Sequence, residues 1–282
     1  MRESRRRSEK TVTAGIFYLI SCMLKPAAIF ITAILTSFIL ISCLGKNQPL
    51  HKTWFFAYYG NSGQSLPQSQ PLTPENFLNL QKDGKYTSYL SGFDYGTWKN
   101  EGNEIHLVNE KGEKKFLRII SLKDGELTLD LSSIFRNSPL HVFTGIPNTN
   151  TKEADNPFSK QNNQWRIRAS APETSEQIKA RLVNHFRFWE KYFEWAIANN
   201  LKSLGVRGMN SPIKIYGNGF ALIPYNEVPD EWNKIFFDEA DCRKAYDKLE
   251  TMMNTKDVTW PKTDNRFKSF ISGFQQLQGM VE

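Results

Sequence analysis

The sequence predicts a two-domain protein of the β plus α/β type, in which an antiparallel up-and-down β-meander or small barrel precedes an α+β domain. Apolar and polar residues alternate with a period of two through 52–131, between short turns that contain glycine. Apolar residues recur at helical spacing through 174–204, and the stretch between these patterns is rich in asparagine and proline. We therefore expect a β domain at 51–143, a linker at 144–164 and an α+β domain at 165–282.

The first 43 residues have the organisation of a secretory signal. Basic residues near the N-terminus precede an uncharged apolar run at 26–42, which ends in Leu40, Ile41 and Ser42 directly before Cys43. This ending resembles the lipobox of bacterial lipoproteins. In that family the cysteine thiol receives a diacylglycerol before the signal is removed. The resemblance implies that Cys43 carries a lipid, including palmitate-type chains, and that the mature protein is anchored to a membrane of the cell envelope.

Other interpretations of this segment stay open. A single transmembrane helix at 26–42 is the main alternative, although 17 residues fall short of the roughly 20 that a span needs. A second lipobox-like string ends at Cys22, and we hypothesise that translation begins at Met23. A helical hairpin in the membrane would also fit. Residues 44–50 form a short tether. Leu44 is not the acidic residue that retains some lipoproteins at the inner membrane, so the outer membrane is preferred.

The charge of the chain gives no indication of nucleic-acid binding. The formal net charge is +7, but six basic and two acidic residues lie in 1–42, which leaves 30 basic and 27 acidic residues beyond the signal. These charges are interspersed rather than clustered. Of the three cysteines only Cys242 lies in the mature body, so no intramolecular disulfide is expected there.

Glycine-containing turns divide the first domain into strands. The Asp83-Gly84 pair supplies the positive φ that a tight hairpin requires, and Gly102, Gly112 and Gly125 mark further turns. The segment 132–142 is ambiguous. We expect a first strand that begins at Lys52 and further strands in a meander buried on one face. The further strands are 77–81, 85–90, 95–99, 104–108, 114–121 and 126–131.

The succession of short motifs in this domain resembles a known family. The motifs are Lys82-Asp83-Gly84-x-Tyr86, Gly96-Thr97-Trp98, Ile119-Ile120-Ser121-Leu122 and Glu126-Leu127-x-Leu129. They are similar to the lipocalin-like domain of bacterial lipoproteins, particularly those of Bacteroidota, over residues 50–135. The resemblance implies a small up-and-down barrel or half-barrel whose ligands are mostly unknown.

Five aromatic residues of this domain are candidates for lining a ligand cavity. They would either surround an apolar ligand or fill the barrel interior, and small barrels are usually filled by side chains, which favours the second interpretation. The five residues are Trp54, Phe56, Tyr86, Trp98 and Phe116.

The second domain resembles no family that we recognise. We expect a strand at 165–168, then a long helix capped by Ser170 or Thr174 and ended by Gly205. A hairpin at 212–223, a helix at 239–254 capped by Asp238 and a last helix at 266–278 complete it.

The sequence shows no catalytic motif, metal-ligand spacing or cofactor fingerprint. The four histidines are His51, His106, His141 and His185, and no two share metal-ligand spacing on one helix. We expect a noncatalytic, membrane-anchored envelope lipoprotein that acts as an interaction or ligand-binding module, without a cofactor. Its partner would be an envelope protein or a small apolar ligand. The first alternative is a carrier that holds a small apolar molecule in the barrel. The second is an enzyme with its site near His185 or Asp238.

Overall fold

The computed structural model describes residues 50–59, 76–123, 125–135, 140–147, 152–201, 209–216, 219–254, 261, 263 and 265–281. The lipobox with Cys43, the alternative start at Met23, the alternative membrane helix at 26–42 and most of the tether lie outside these residues. Pro49–Glu282 form one compact unit. The helices of the described part include none that is both long enough and apolar enough to span a bilayer.

Eight antiparallel strands close into a barrel, which confirms the predicted β architecture. β1 pairs with both β2 and β8, and β8 extends into the segment that we predicted to be linker. The strands are β1 (Lys52–Tyr59), β2 (Phe77–Leu80), β3 (Lys85–Tyr89), β4 (Phe93–Glu101), β5 (Glu104–Asn109), β6 (Lys114–Lys123), β7 (Glu126–Asp130) and β8 (Leu140–Pro147).

Apolar side chains fill the inside of the barrel. Trp54 and Tyr86 are fully buried there, among leucines from several strands. The Trp54 ring lies directly over Gly145, its partner on β8, and a Cβ at Gly145 would be 2.5 Å from the ring. Glycine is therefore required at this position to make room for the indole. The buried members of this core are Leu50, Trp54, Leu78, Leu80, Tyr86, Leu90, Ile105, Leu107, Leu117, Leu127, Leu129, Leu131 and Phe143.

The outer face of β1–β3 is buried as well, beneath the helical part of the chain. All four residues of β2 are buried, so this strand is covered on both sides, unlike the half-buried strands that the sequence predicts. Phe55 and Phe77 point outward and pack against Phe158, at ring-centroid distances of 5.1 and 5.0 Å. Barrel and helices thus share apolar contacts.

A chain of buried hydrogen bonds accompanies this packing. The Thr53 hydroxyl donates to the Asn79 side-chain oxygen at 3.2 Å, and the Asn79 amide donates to the Thr87 hydroxyl at 3.1 Å. The Thr87 hydroxyl donates in turn to the backbone carbonyl of Phe158. These bonds fix Phe158, which lies in the predicted linker, against the barrel wall.

Four α-helices follow in the described part, and the longest begins where the sequence predicts. Thr174 caps it in a reciprocal capping box with Gln177, but the helix ends at Ala198 rather than near Gly205. The strand expected at 165–168 is wrong, since the 3₁₀ helix Gln161–Arg166 occupies its first half and no strand follows in the second half. The helices are α1 (Ser175–Ala198), α2 (Asp230–Asn233), α3 (Glu239–Asn254) and α4 (Arg266–Val281), and the hairpin strands are β9 (Ile213–Tyr216) and β10 (Gly219–Leu222).

Aromatic packing holds the helical part together. The buried face of α1 meets α4 through Phe193 and Phe270, at a ring-centroid distance of 5.0 Å, and through Phe186 and Phe274, at 6.0 Å. The wide aromatic stripe that the sequence places on α1 is therefore covered by α4 on one side and, through Trp195 against Phe55, by the barrel on another.

Candidate ligand-binding clefts

The structure brings together four of the five aromatic residues predicted for the barrel cavity. Trp54 and Tyr86 are fully buried in the barrel core, and Phe56 and Trp98 pack against it while partly exposed. Phe116 does not join them. It is 49% exposed on the outer face of β6, with its ring 4.7 Å from that of His106.

Buried side chains occupy the barrel core where these residues meet. Burial, and next the nearby Asp94 carboxylate, raise the pKa of Tyr86, so its phenol stays neutral. The Trp98 indole is fixed by a 2.9 Å hydrogen bond that it donates to the carbonyl of Gln81. A closed eight-stranded barrel fits a lipocalin-like ligand-binding fold. A ligand inside this barrel would nevertheless have to displace buried rings.

An open cleft lies on the helical part, and we call it the first cleft. Its volume is about 810 Å³, and it is bounded by the 3₁₀ helix Tyr225–Glu227, by α2 and by the start of α3. Aromatic rings, three cations and three carboxylates share its wall. Its lining residues are Arg168, Tyr225, Asn226, Val228, Asp230, Asn233, Lys234, Phe236, Phe237, Asp238, Glu239, Cys242 and Arg243.

Tyr225 and Cys242 provide neutral polar groups in the first cleft. The Arg243 guanidinium stacks over the Tyr225 ring at 3.6 Å from its centroid, and burial raises the pKa of Tyr225 to about 12. The Cys242 thiol donates to the Asn233 side-chain oxygen at 3.0 Å, and burial raises its pKa. Phenol and thiol are both protonated at neutral pH. They can donate hydrogen bonds, whereas a nucleophile or metal ligand would require the thiolate.

A second cleft of about 620 Å³ lies where the turn between β3 and β4 meets the helical part. It shares Arg168 and Lys234 with the first cleft, so the two spaces are neighbours. Its lining residues are Asn76, Tyr89, Leu90, Ser91, Gly92, Phe93, Arg166, Arg168, Asn210, Glu231, Lys234 and Ile235.

Arg166 is the buried cation of the second cleft, with only 6% of its surface exposed. Its guanidinium carbon lies 4.5 Å from the ring centroid of Tyr89, and 4.7 Å from the centroids of both Trp165 and Phe188. Aromatic faces attract a cation through their quadrupole, and the attraction strengthens when water is excluded. Tyr89 belongs to the barrel and Phe188 to α1, so the tertiary fold assembles this environment.

The backbone around Arg166 is held by Arg181 of α1. One guanidinium nitrogen of Arg181 donates to the carbonyls of Trp165 and Ile167, at 2.6 and 2.9 Å. The rest of the same guanidinium forms a buried ion pair with Glu173, in which the shortest nitrogen–oxygen distance is 2.8 Å. The carbonyls on both sides of Arg166 are therefore fixed, and the position of its side chain with them.

The two groups that the sequence nominates for an enzyme site lie in different environments. His185 is fully buried and accepts a hydrogen bond from the Trp189 indole at 3.0 Å. Burial, and next the charge of Arg166, lower the pKa of His185 to about 3. Asp238 lines the first cleft and caps α3 as predicted, by accepting from the Asp241 backbone at 3.0 Å. Within the described ranges, no group of three or more His, Cys, Asp or Glu side chains is placed to hold a metal ion.

Sequence reasoning missed the residues that dominate these clefts. Arg166 and Arg168 read as the polar positions of a strand, and Tyr225 and Arg243 fall in a turn and on the polar side of a helix. No local signal distinguishes them. No family model matches the chain, and no curated protein matches it significantly.

Proposed function

We propose that the protein is a noncatalytic, lipid-anchored protein of the bacterial cell envelope that binds a small amphipathic molecule in the first cleft. The observation that carries this proposal is the contrast between a barrel core occupied by buried side chains and an open cleft of about 810 Å³ on the helical part. Ligand sites are typically concave, partly aromatic and provided with a few polar groups, as the first cleft is. The barrel then serves as the scaffold.

The protonation of His185 and of the Cys242 thiol supports a binding role. His185 keeps its imidazole neutral and away from either cleft wall, and Cys242 keeps its proton. Neither group is prepared for proton transfer or nucleophilic attack.

Surface exposure favours a small ligand over a broad protein interface. In the described residues of the helical part, the exposed large apolar side chains are Tyr216 and Phe237. Isolated residues of this kind are usual on monomeric proteins, whereas interfaces expose contiguous patches. Phe237 lies on the wall of the first cleft, where it can cover an apolar portion of a ligand.

Native mass spectrometry of the protein, extracted gently from its own envelope, tests the binding proposal. We expect the added mass of a small molecule on the wild type and its loss from the double variant Phe237→Ala/Arg243→Ala. The matched control Phe116→Ala/Arg118→Ala removes an equally exposed pair from the barrel surface and should keep the ligand. Loss of the ligand only from Trp98→Ala would overturn the proposal in favour of a barrel carrier. A co-purifying protein that is lost from the cleft variant would identify a protein partner instead.

The lipid anchor rests on the lipobox alone, because Cys43 lies outside the described residues. Metabolic labelling with palmitate tests it. We expect the label on the wild type and on Cys22→Ser, and its absence from Cys43→Ser. A label that survives Cys43→Ser would refute the anchor at this residue. An unlabelled wild type that still fractionates with membranes would favour the transmembrane helix at 26–42.

A further inference from the structure

Cationic side chains outnumber acidic ones in the wall of the second cleft. Arg166, Arg168 and Lys234 face it together with one carboxylate, Glu231. Asn76, Ser91 and Asn210 add neutral groups that can donate hydrogen bonds. We infer that the second cleft is an oxyanion site, in which Arg166, Arg168 and Lys234 hold the carboxylate or phosphate group of a small molecule. This goes beyond the proposed function, which concerns the first cleft.

The environment of Arg166 suits it to be the anchor of this site. Three aromatic faces remove water from around its guanidinium, and Coulomb attraction to an incoming anion is stronger where the effective dielectric constant is low. A guanidinium can also form two parallel hydrogen bonds to one carboxylate or phosphate, which fixes the orientation of the anion.

The second arginine lies beside the first because of the local backbone. Ile167, between them, is extended with φ −73° and ψ 123°, and the side chains of Arg166 and Arg168 both line the second cleft. Arg181 holds the carbonyl of Ile167, and the amide of Ala169 donates to the carbonyl of Ile235 at 2.9 Å. Both ends of this short segment are therefore tied before a ligand arrives, which lowers the entropic cost of binding.

The size and the apolar residues of the second cleft indicate what kind of molecule carries the anionic group. A volume of about 620 Å³ is far larger than a free inorganic ion needs and is typical of small-molecule sites. Tyr89, Leu90 and Phe93 supply an apolar part of the wall, with Tyr89 in contact with Arg166. We therefore expect a small organic anion, with its charged end at Arg166 and an apolar or aromatic body against the barrel turn.

Isothermal titration calorimetry of the full-length protein with benzoate, inorganic phosphate and the neutral analogue benzamide tests this inference. We expect benzoate or phosphate to bind, benzamide to bind at least about tenfold more weakly, and added salt to weaken the anions. Tighter binding of benzoate would identify a carboxylate site, and tighter binding of phosphate a phosphate site. The inference would be overturned if both anions failed to bind the wild type at about 10 mM, or if benzamide bound as well as the tighter of the two anions.

Matched variants locate the anion. Because Arg168 and Lys234 are exposed, Arg168→Ala/Lys234→Ala should fold normally, and we expect it to lose about tenfold or more in anion affinity. Glu231→Gln should gain affinity, since it removes a repelling charge. Arg243→Ala, which changes only the first cleft, should bind the anion as the wild type does. A loss confined to Arg243→Ala, or unchanged affinity in the double variant, would refute the site. The calorimetric probes are added in excess, so this test does not depend on a natural ligand. If native mass spectrometry found no natural ligand, that result would contradict the proposed function of the first cleft and not the oxyanion site.

Discussion

Phe158 joins the barrel to the helical part, and its truncation gives the sharpest test of the fold. The side chain is fully buried, with its ring 5.0–5.1 Å from those of Phe55, Phe77 and Trp195. Truncation of a buried phenylalanine costs about 3–5 kcal/mol. Rings contributed by different elements cannot easily collapse into the space, so we expect Phe158→Ala to lower the free energy of unfolding by about 4 kcal/mol.

Urea denaturation, followed in parallel by tryptophan fluorescence and far-ultraviolet circular dichroism, measures this effect. We expect the two signals to give one common transition in the wild type, because the barrel and helices share this contact. The control Phe116→Ala removes a half-exposed ring and should cost no more than about 1 kcal/mol. Equal losses in the two variants, or a barrel transition that Phe158→Ala leaves unchanged, would refute the argument that Phe158 couples the two parts.

Three further predictions concern buried charge and close packing. Because burial lowers the pKa of His185 from 6.5 to about 3, the unfolded chain binds a proton below pH 6.5 that the folded chain does not. The free energy of unfolding should therefore fall by about 2 kcal/mol between pH 7 and pH 5, and His185→Gln should lose that decline in urea titrations at the two pH values. An unchanged slope would exclude His185 as its source. Glu173→Ala removes the partner of the buried Arg181, and it should destabilise the protein by about 3 kcal/mol in thermal unfolding. Glu176 is 77% exposed in its ion pair with Lys179, so Glu176→Ala should cost less than about 1 kcal/mol. Similar costs would contradict this. Gly145→Ala should lower the free energy of unfolding by about 1–3 kcal/mol, because the added methyl group clashes with the Trp54 indole. Gly279→Ala, in an open helical position, should raise the free energy of unfolding by up to about 1 kcal/mol. A Gly145→Ala variant more stable than the wild type would show that the barrel interior has room for the methyl group.

The first seven strands could be predicted because their signals are local. Alternation marks the strands, and glycines at Gly84, Gly102, Gly112 and Gly125 adopt the positive φ that the turns require. β8 was missed because Leu140–Pro147 combines apolar residues on both faces with a glycine. Its assignment depends on pairing with β1, about 90 residues away, which no local pattern reveals.

The inward or outward direction of a residue was harder to predict than its secondary structure. Phe116 and Leu117 are adjacent and both apolar, and only one can point inward. Leu117 does so, while Phe116 lies outside against His106. Hydrophobicity alone does not choose between them, because the pairing with β5 fixes the register.

The clefts could not be predicted because their residues are distant in the sequence. Arg166 is surrounded by Tyr89 from the barrel and Phe188 from α1, and neither neighbour is implied by its own sequence context. Thr174 and Asp238, by contrast, were predictable as helix caps, because capping depends on residues only three positions away.

The burial of β2 on both faces has a consequence for any chain that lacks the helices, whether through proteolysis or because synthesis is incomplete. A chain ending at Pro147 contains every strand of the barrel and can satisfy their backbone hydrogen bonds. Phe55 and Phe77 would nevertheless be exposed to water, because Phe158 would be missing. Asn79 would also lack the Phe158 carbonyl, to which it donates in the whole protein. Such a fragment would have a closed barrel but an exposed aromatic surface. This surface would drive self-association until α1 is synthesised and covers it. A barrel that does not self-associate therefore depends on synthesis of the helices, and not only on closure of the barrel.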